Sequence, residues 1–140
     1  MSQPDWASAG LSARAGAIYF GLVFAVGFAL GTVRQLFVVP LTGELTGVLI
    51  ESPIMVLASY VIAVRVTAQM RVAARLLPRL LMGATAFGLL LAVELALSML
   101  MSGWTLDQWL LNFASAQGAV SLAIFALFGV MPILLLRKPL

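Results

Sequence analysis

The chain has 140 residues, of which 63% are hydrophobic and 9% charged, with a mean hydropathy of +1.12. A soluble domain carries about 25% charged residues, so this composition excludes a water-solvated globule and reads as one integral membrane domain over 1–140. Eight Lys and Arg against five Asp and Glu leave a net charge of +3, but the cations sit at the ends of apolar runs, so the lipid bilayer is the expected surrounding and no nucleic-acid partner is expected.

Cysteine and histidine are both absent. Their absence removes disulfides, thiolate chemistry, imidazole acid–base work and nearly all zinc, copper or haem sites, so no metal and no cofactor is expected. Carboxylates are then the main candidates for proton chemistry.

Crossing ~30 Å of hydrocarbon takes about 20 helical residues, and four apolar segments qualify, near 14–38, 43–66, 79–102 and 115–136. The predicted fold is therefore all-α, a four-helix transmembrane bundle with short loops. The first apolar stretch, 15–33, exceeds a normal signal core and is followed at once by another, so it reads as a retained anchor. Gly27, Gly31 and Arg34 fall on one stripe of this span. The Gly27-x-x-x-Gly31 spacing predicts close approach of a neighbouring helix, with Arg34 pointing into the bundle. Ala17, Gly21, Ala25 and Ala29 form a second stripe of small residues.

In the second span Thr42 is placed to cap the helix and Glu44 stands in its first turn. Pro53 interrupts the run. A helix starting at Pro53 would be too short to span, so the prediction is a helix from about Gly43, kinked near Pro53. Glu44, Gly47 and Glu51 share one face.

The connection to the third span is a basic loop with Arg65, Arg71, Arg75 and Arg79. The helical spacing of Arg71, Arg75 and Arg79 suits a topology determinant, or an acidic-lipid contact at ~1 kcal/mol per cation. Pro78 suits the start of span three and Gly103 its end. Glu94 and Ser98 share a face there, beside the small residues Ala84, Gly88 and Ala92, which are expected to pack against another helix.

Thr105 and Gln108 have capping-box spacing, and Leu106, Trp109, Leu110 and Phe113 then form an apolar face. A short interfacial helix follows, with Trp104 and Trp109 at headgroup level. Span four offers Gln117 and Ser121.

Arg14, the basic loop, and Arg137 with Lys138 all fall on one side of a four-span chain. The other side holds Arg34 beside the acidic Glu44 and Asp107. The positive-inside rule then predicts both termini in the cytoplasm of a bacterium, with the chain in its inner membrane.

Arg34, Glu51 and Glu94 each interrupt a different apolar run at a similar depth, about 3–6, 9 and 10 Å from the same boundary. Ionisable groups inside lipid are costly, so Arg34 is expected to bridge Glu51, Glu94 or both. Two carboxylates against one guanidinium leave one negative charge, which needs a proton, or a cation with water. The cluster reads either as a clasp between helices or as a proton- or ion-binding site.

The run Ile18-Tyr19-Phe20-Gly21-Leu22-Val23-Phe24, the segment from Gly27 to Arg34, Pro40, Gly43, Glu51-Ser52-Pro53-Ile54-Met55, Met82-Gly83, Glu94 and Met131-Pro132 together resemble an uncharacterised family of small four-span proteobacterial inner-membrane proteins. The resemblance covers most of 17–132. It implies the same topology and the same three charged residues, and brings no activity. It departs at Phe113-Ala114-Ser115-Ala116-Gln117, where the family often carries a charged turn.

Small-residue faces and the lack of reactive side chains point to a non-enzymatic accessory, interaction or assembly module, with a membrane-protein partner or a homo-oligomer. The alternative is a small homo-oligomeric transporter or channel, coupled to protons or ions through Glu51 and Glu94. A lipid-modifying enzyme would need two carboxylates with split acidity and a polar loop for the headgroup. No such loop is present.

Overall fold

In lipid each segment must satisfy its own backbone, and helices do this alone. The computed structural model describes residues 5–137, and all regular structure among them is helical. The elements are α1 (Asp5–Val33), a widened π turn (Arg34–Val38), α2 (Val39–Thr42), α3 (Glu44–Gln69), α4 (Leu76–Ser102), α5 (Leu106–Asn112), α6 (Ala116–Leu134) and a closing 3₁₀ turn (Leu135–Arg137). Four helical runs are long and apolar enough to cross a membrane: Ala9–Thr42, Glu44–Gln69, Leu76–Ser102 and Ala116–Leu134. The chain is thus an all-α membrane protein. Lys138, one of the cations that predict its orientation, lies outside the described residues.

The helices form a ring in which α1 packs on α3 and α4, and α6 packs on the same two from the far side. The sequential neighbours α3 and α4 therefore stand diagonally. Buried side chains gather in one half of the ring. They include Ala15 and Tyr19 on α1, Ala63 and Val66 on α3, Met82 and Ala86 on α4, and Met131 on α6. This closed end carries the start of α1, the 70–75 loop and the end of α6. The open end carries the 38–44 turn and α5.

Glycine packing is tight at the closed end. A Cβ on Gly16 would strike the Met82 carbonyl, and one on Gly83 would strike the Gly129 carbonyl. The expected glycines do not make such contacts. Gly27 faces the Met55 side chain and Gly31 faces the Arg34 guanidinium. Ala84, Gly88 and Ala92 are exposed, and nothing lies near Gly88. The buried stripe of α4 is instead Arg79, Met82, Gly83, Ala86 and Leu90. The physical reason is that the surroundings are as apolar as the interior, so spacing reveals a stripe without revealing its direction.

Helix ends follow local chemistry at α4 and α5, while Thr42 is an exception. Gly103 closes α4 at φ +68°, as its position suggests. Thr105 and Gln108 form the full reciprocal capping box of α5, with Gln108 Oε1 accepting from the Thr105 amide at 2.9 Å. Thr42 does not cap α3. Its hydroxyl donates back to the Val38 carbonyl, and Gly43, at φ +89°, is the residue that precedes the helix. Trp109 turns inward and is buried, its ring edge-on to Phe113. Helix α3 continues unbroken through Pro53.

Candidate functional site

The site begins with a proline. Pro40 has no amide to give the Leu36 carbonyl, and the helix widens just before it, where the Val39 amide donates to the Arg34 carbonyl five residues back. Arg34 opens this widened turn. Its stem crosses α3 at Gly47, where a Cβ would come within 3.0 Å of Arg34 Cγ. The crossing carries the guanidinium one helical turn further along the same face of α3. There Arg34 Nη1 donates to Glu51 Oε2 at 2.6 Å. The side chains are 25% and 13% exposed, so the pair is largely withdrawn from solvent. Arg34 Nε is buried without a partner.

Glu94 reaches the same place from α4. It interacts electrostatically with Arg34 and Glu51, yet makes no ion pair or hydrogen bond among the described residues. Of the bridges the sequence allows, Arg34 makes the one to Glu51.

These three residues line a pocket of about 500 Å³ that all four long helices enclose. It runs from Arg34, Gln35 and Met101 near the open end to Ser59, Leu90 and Phe128 at mid-bundle. Phe28, Leu36 and Met101 on its rim are each more than half exposed, which marks the mouth. Aromatic rings from Phe20, Phe24 and Phe28 on α1 face it, with Phe125 on α6 opposite. Gly27, Gly31 and Ser121 also line it. Volumes of this order hold drug-sized molecules.

The floor of the pocket is a buried polar node that sequence reasoning missed. Pro132 lacks the amide that would normally bond the Phe128 carbonyl four residues earlier. Tyr19 supplies the missing donor, its hydroxyl giving a 2.7 Å hydrogen bond to that carbonyl. The Tyr19 and Phe128 rings stack at 4.5 Å, and Ser59 interacts with the same hydroxyl. The available signal was Pro132 inside an apolar run, which implies an orphan carbonyl at Phe128 and hence a donor elsewhere.

Other expected site residues lie apart. Glu44 is exposed and accepts a 3.5 Å hydrogen bond from Gln117 Nε2, which joins α3 to α6 outside the pocket. Ser98 does not line the pocket. Leu97 and Met101 do so at that level, while the Ser98 carbonyl closes the end of α4. The series Arg71, Arg75 and Arg79 is not one helical face. Arg71 sits at φ +54° in the loop and Arg75 precedes α4, both exposed. Arg79 lies inside α4 and is buried, donating to the carbonyls of Pro132 at 3.0 Å and Ala73 at 3.3 Å. It is an internal strut between the loop, α4 and α6, because α4 starts at Leu76 and carries it under the bundle.

Among the described residues no three His, Cys, Asp or Glu side chains converge as a metal site. What the arrangement offers chemically is a neutralised ion pair, a second carboxyl group with no ion pair of its own among the described residues, and an aromatic chamber below them. No protein-family model, curated protein or solved structure matches this chain.

Proposed function

We propose that this chain is a non-enzymatic accessory module of the bacterial inner membrane, which holds a small amphipathic molecule between its helices. The pocket carries this reading. It has a charged rim, apolar walls and an inner end at Ser59, Leu90 and Phe128, the form expected of a site for a molecule with one polar end. In the proposed orientation Arg14, Arg65, Arg71, Arg75, Arg137 and Lys138 face the cytoplasm, both termini lie inside, and the mouth opens to the other face. The resemblance to small four-span proteobacterial proteins agrees with that setting.

Two exposed small-residue stripes, Ala17, Gly21, Ala25 and Ala29 on α1 and Ala84, Gly88 and Ala92 on α4, lie on helices that pack together. Small residues let another helix approach closely, which favours association with a membrane-protein partner or a second copy. The test is purification from native membranes in mild detergent, followed by native mass determination. The expected result is a stoichiometric complex, with a partner or with itself, that retains a bound small molecule. A bare monomer with an empty pocket overturns the proposal.

A second reading is a proton- or ion-coupled transporter working through Glu51 and Glu94. The observation that favours it is Glu94, facing the pocket without an ion pair. Unchanged proton and cation flux in liposomes after Glu51→Gln and Glu94→Gln removes it.

A further inference from the structure

We infer that the pocket selects organic cations: molecules with one positive charge and an aromatic or alkyl body. This rests on the pocket being a ligand site, as proposed above, and adds the charge and chemistry of what it takes.

The first argument is charge. Arg34 and Glu51 neutralise each other at 2.6 Å. Glu94 remains at the same rim with no ion pair among the described residues. With both carboxyl groups ionised, one guanidinium leaves one negative charge over, and a ligand cation balances it. An anion is disfavoured, because the rim sets two carboxyl groups against one guanidinium whose Nη1 is already given to Glu51.

The second argument concerns the walls. Phe24, Phe28 and Phe125 line the same pocket as Glu94. Phe24 and Phe28 follow each other along α1 with ring centroids 6.1 Å apart. Aromatic faces attract cations through their quadrupole, and organic ammonium groups are the usual beneficiaries. A hydrated inorganic cation is a poor fit. Such ions need several converging oxygens, and no three acidic side chains come together among the described residues. The largely apolar lining would also strip water from the ion without replacing it.

The third argument is shape. A chamber of about 500 Å³ that reaches in to Ser59 and Phe128 accepts a compact body below the charge. Van der Waals contact with Val23, Met55 and Leu90 holds that body, while the rim discriminates by sign.

The experiment uses two ions of matched shape and opposite charge, tetraphenylphosphonium and tetraphenylborate. Each is titrated calorimetrically into the full chain in nanodiscs of zwitterionic lipid, with empty discs subtracted. The expected result is saturable binding of the phosphonium, with the borate at least tenfold weaker. Glu94→Gln is expected to weaken the phosphonium at least tenfold. The wild-type comparison decides the matter even if that variant fails to fold. Equal binding of the two ions, or undiminished phosphonium binding by folded Glu94→Gln, overturns the inference. Ser121→Trp, which fills the chamber, separates this from the parent reading. If both ions bind alike and Ser121→Trp abolishes both, the pocket stands and its selectivity falls. If neither ion binds, or if Ser121→Trp leaves binding intact, the pocket reading falls too.

Discussion

Arg34 and Glu51 are a pair whose members are each expensive alone. Removing one partner of a largely buried hydrogen-bonded charge leaves the other unsatisfied, at about 1–3 kcal/mol. Arg34→Ala and Glu51→Ala should therefore each lower the unfolding temperature in detergent. The double variant Arg34→Met with Glu51→Leu should recover most of the loss, because exchanging a buried pair for apolar residues of similar volume is often neutral. A double variant no more stable than the singles would show that the pair does not act as a unit. The charged trio itself was legible in the sequence, because each residue breaks an apolar run. The choice of partner was not. Glu51 and Glu94 lie at similar depth, and only the passage over Gly47 from the widened turn before Pro40 directs Arg34 to Glu51.

At the level of helices, two prolines sit inside helices that continue through them, Pro53 in α3 and Pro132 in α6. At Pro132 another helix supplies the missing donor. Tyr19→Phe should cost about 1–3 kcal/mol, since it leaves the Phe128 carbonyl buried without a donor. The same change in a Pro132→Ala background should cost much less, because an alanine there supplies its own amide to that carbonyl. Equal costs in the two backgrounds, measured by thermal unfolding, would sink this account. Such links escape a reading along the chain because Tyr19 and Phe128 are 109 residues apart. Capping signals fared better. The Thr105 and Gln108 box and the Gly103 stop depend only on near neighbours, and both formed. The inward face of α4 was misread from Ala84 and Gly88 because no polar face marks the outside of a helix in lipid.

Across the whole molecule, packing is lopsided. The closed end holds most of the core, and Arg79 braces it by joining the 70–75 loop and α4 to the Pro132 carbonyl. The open end encloses the pocket. Local stability follows buried contact density, so backbone amides over 82–90 should exchange slowly and those over 97–102 should exchange faster. Hydrogen exchange by mass spectrometry checks this, and uniform protection along α4 would contradict it. The four spans and their lengths were legible because length and composition determine them, whereas the one-sided core depends on which glycines meet which carbonyls. The bridge from Arg34 to Glu51 has a further consequence, for biogenesis. Its members are 17 residues apart on successive helices of the first hairpin, joined through Gly43. A nascent chain that has delivered only this hairpin to the insertion machinery already carries its two intramembrane charges as a matched pair. Glu94 arrives with the second hairpin, and enters a bilayer where the earlier charges have already cancelled.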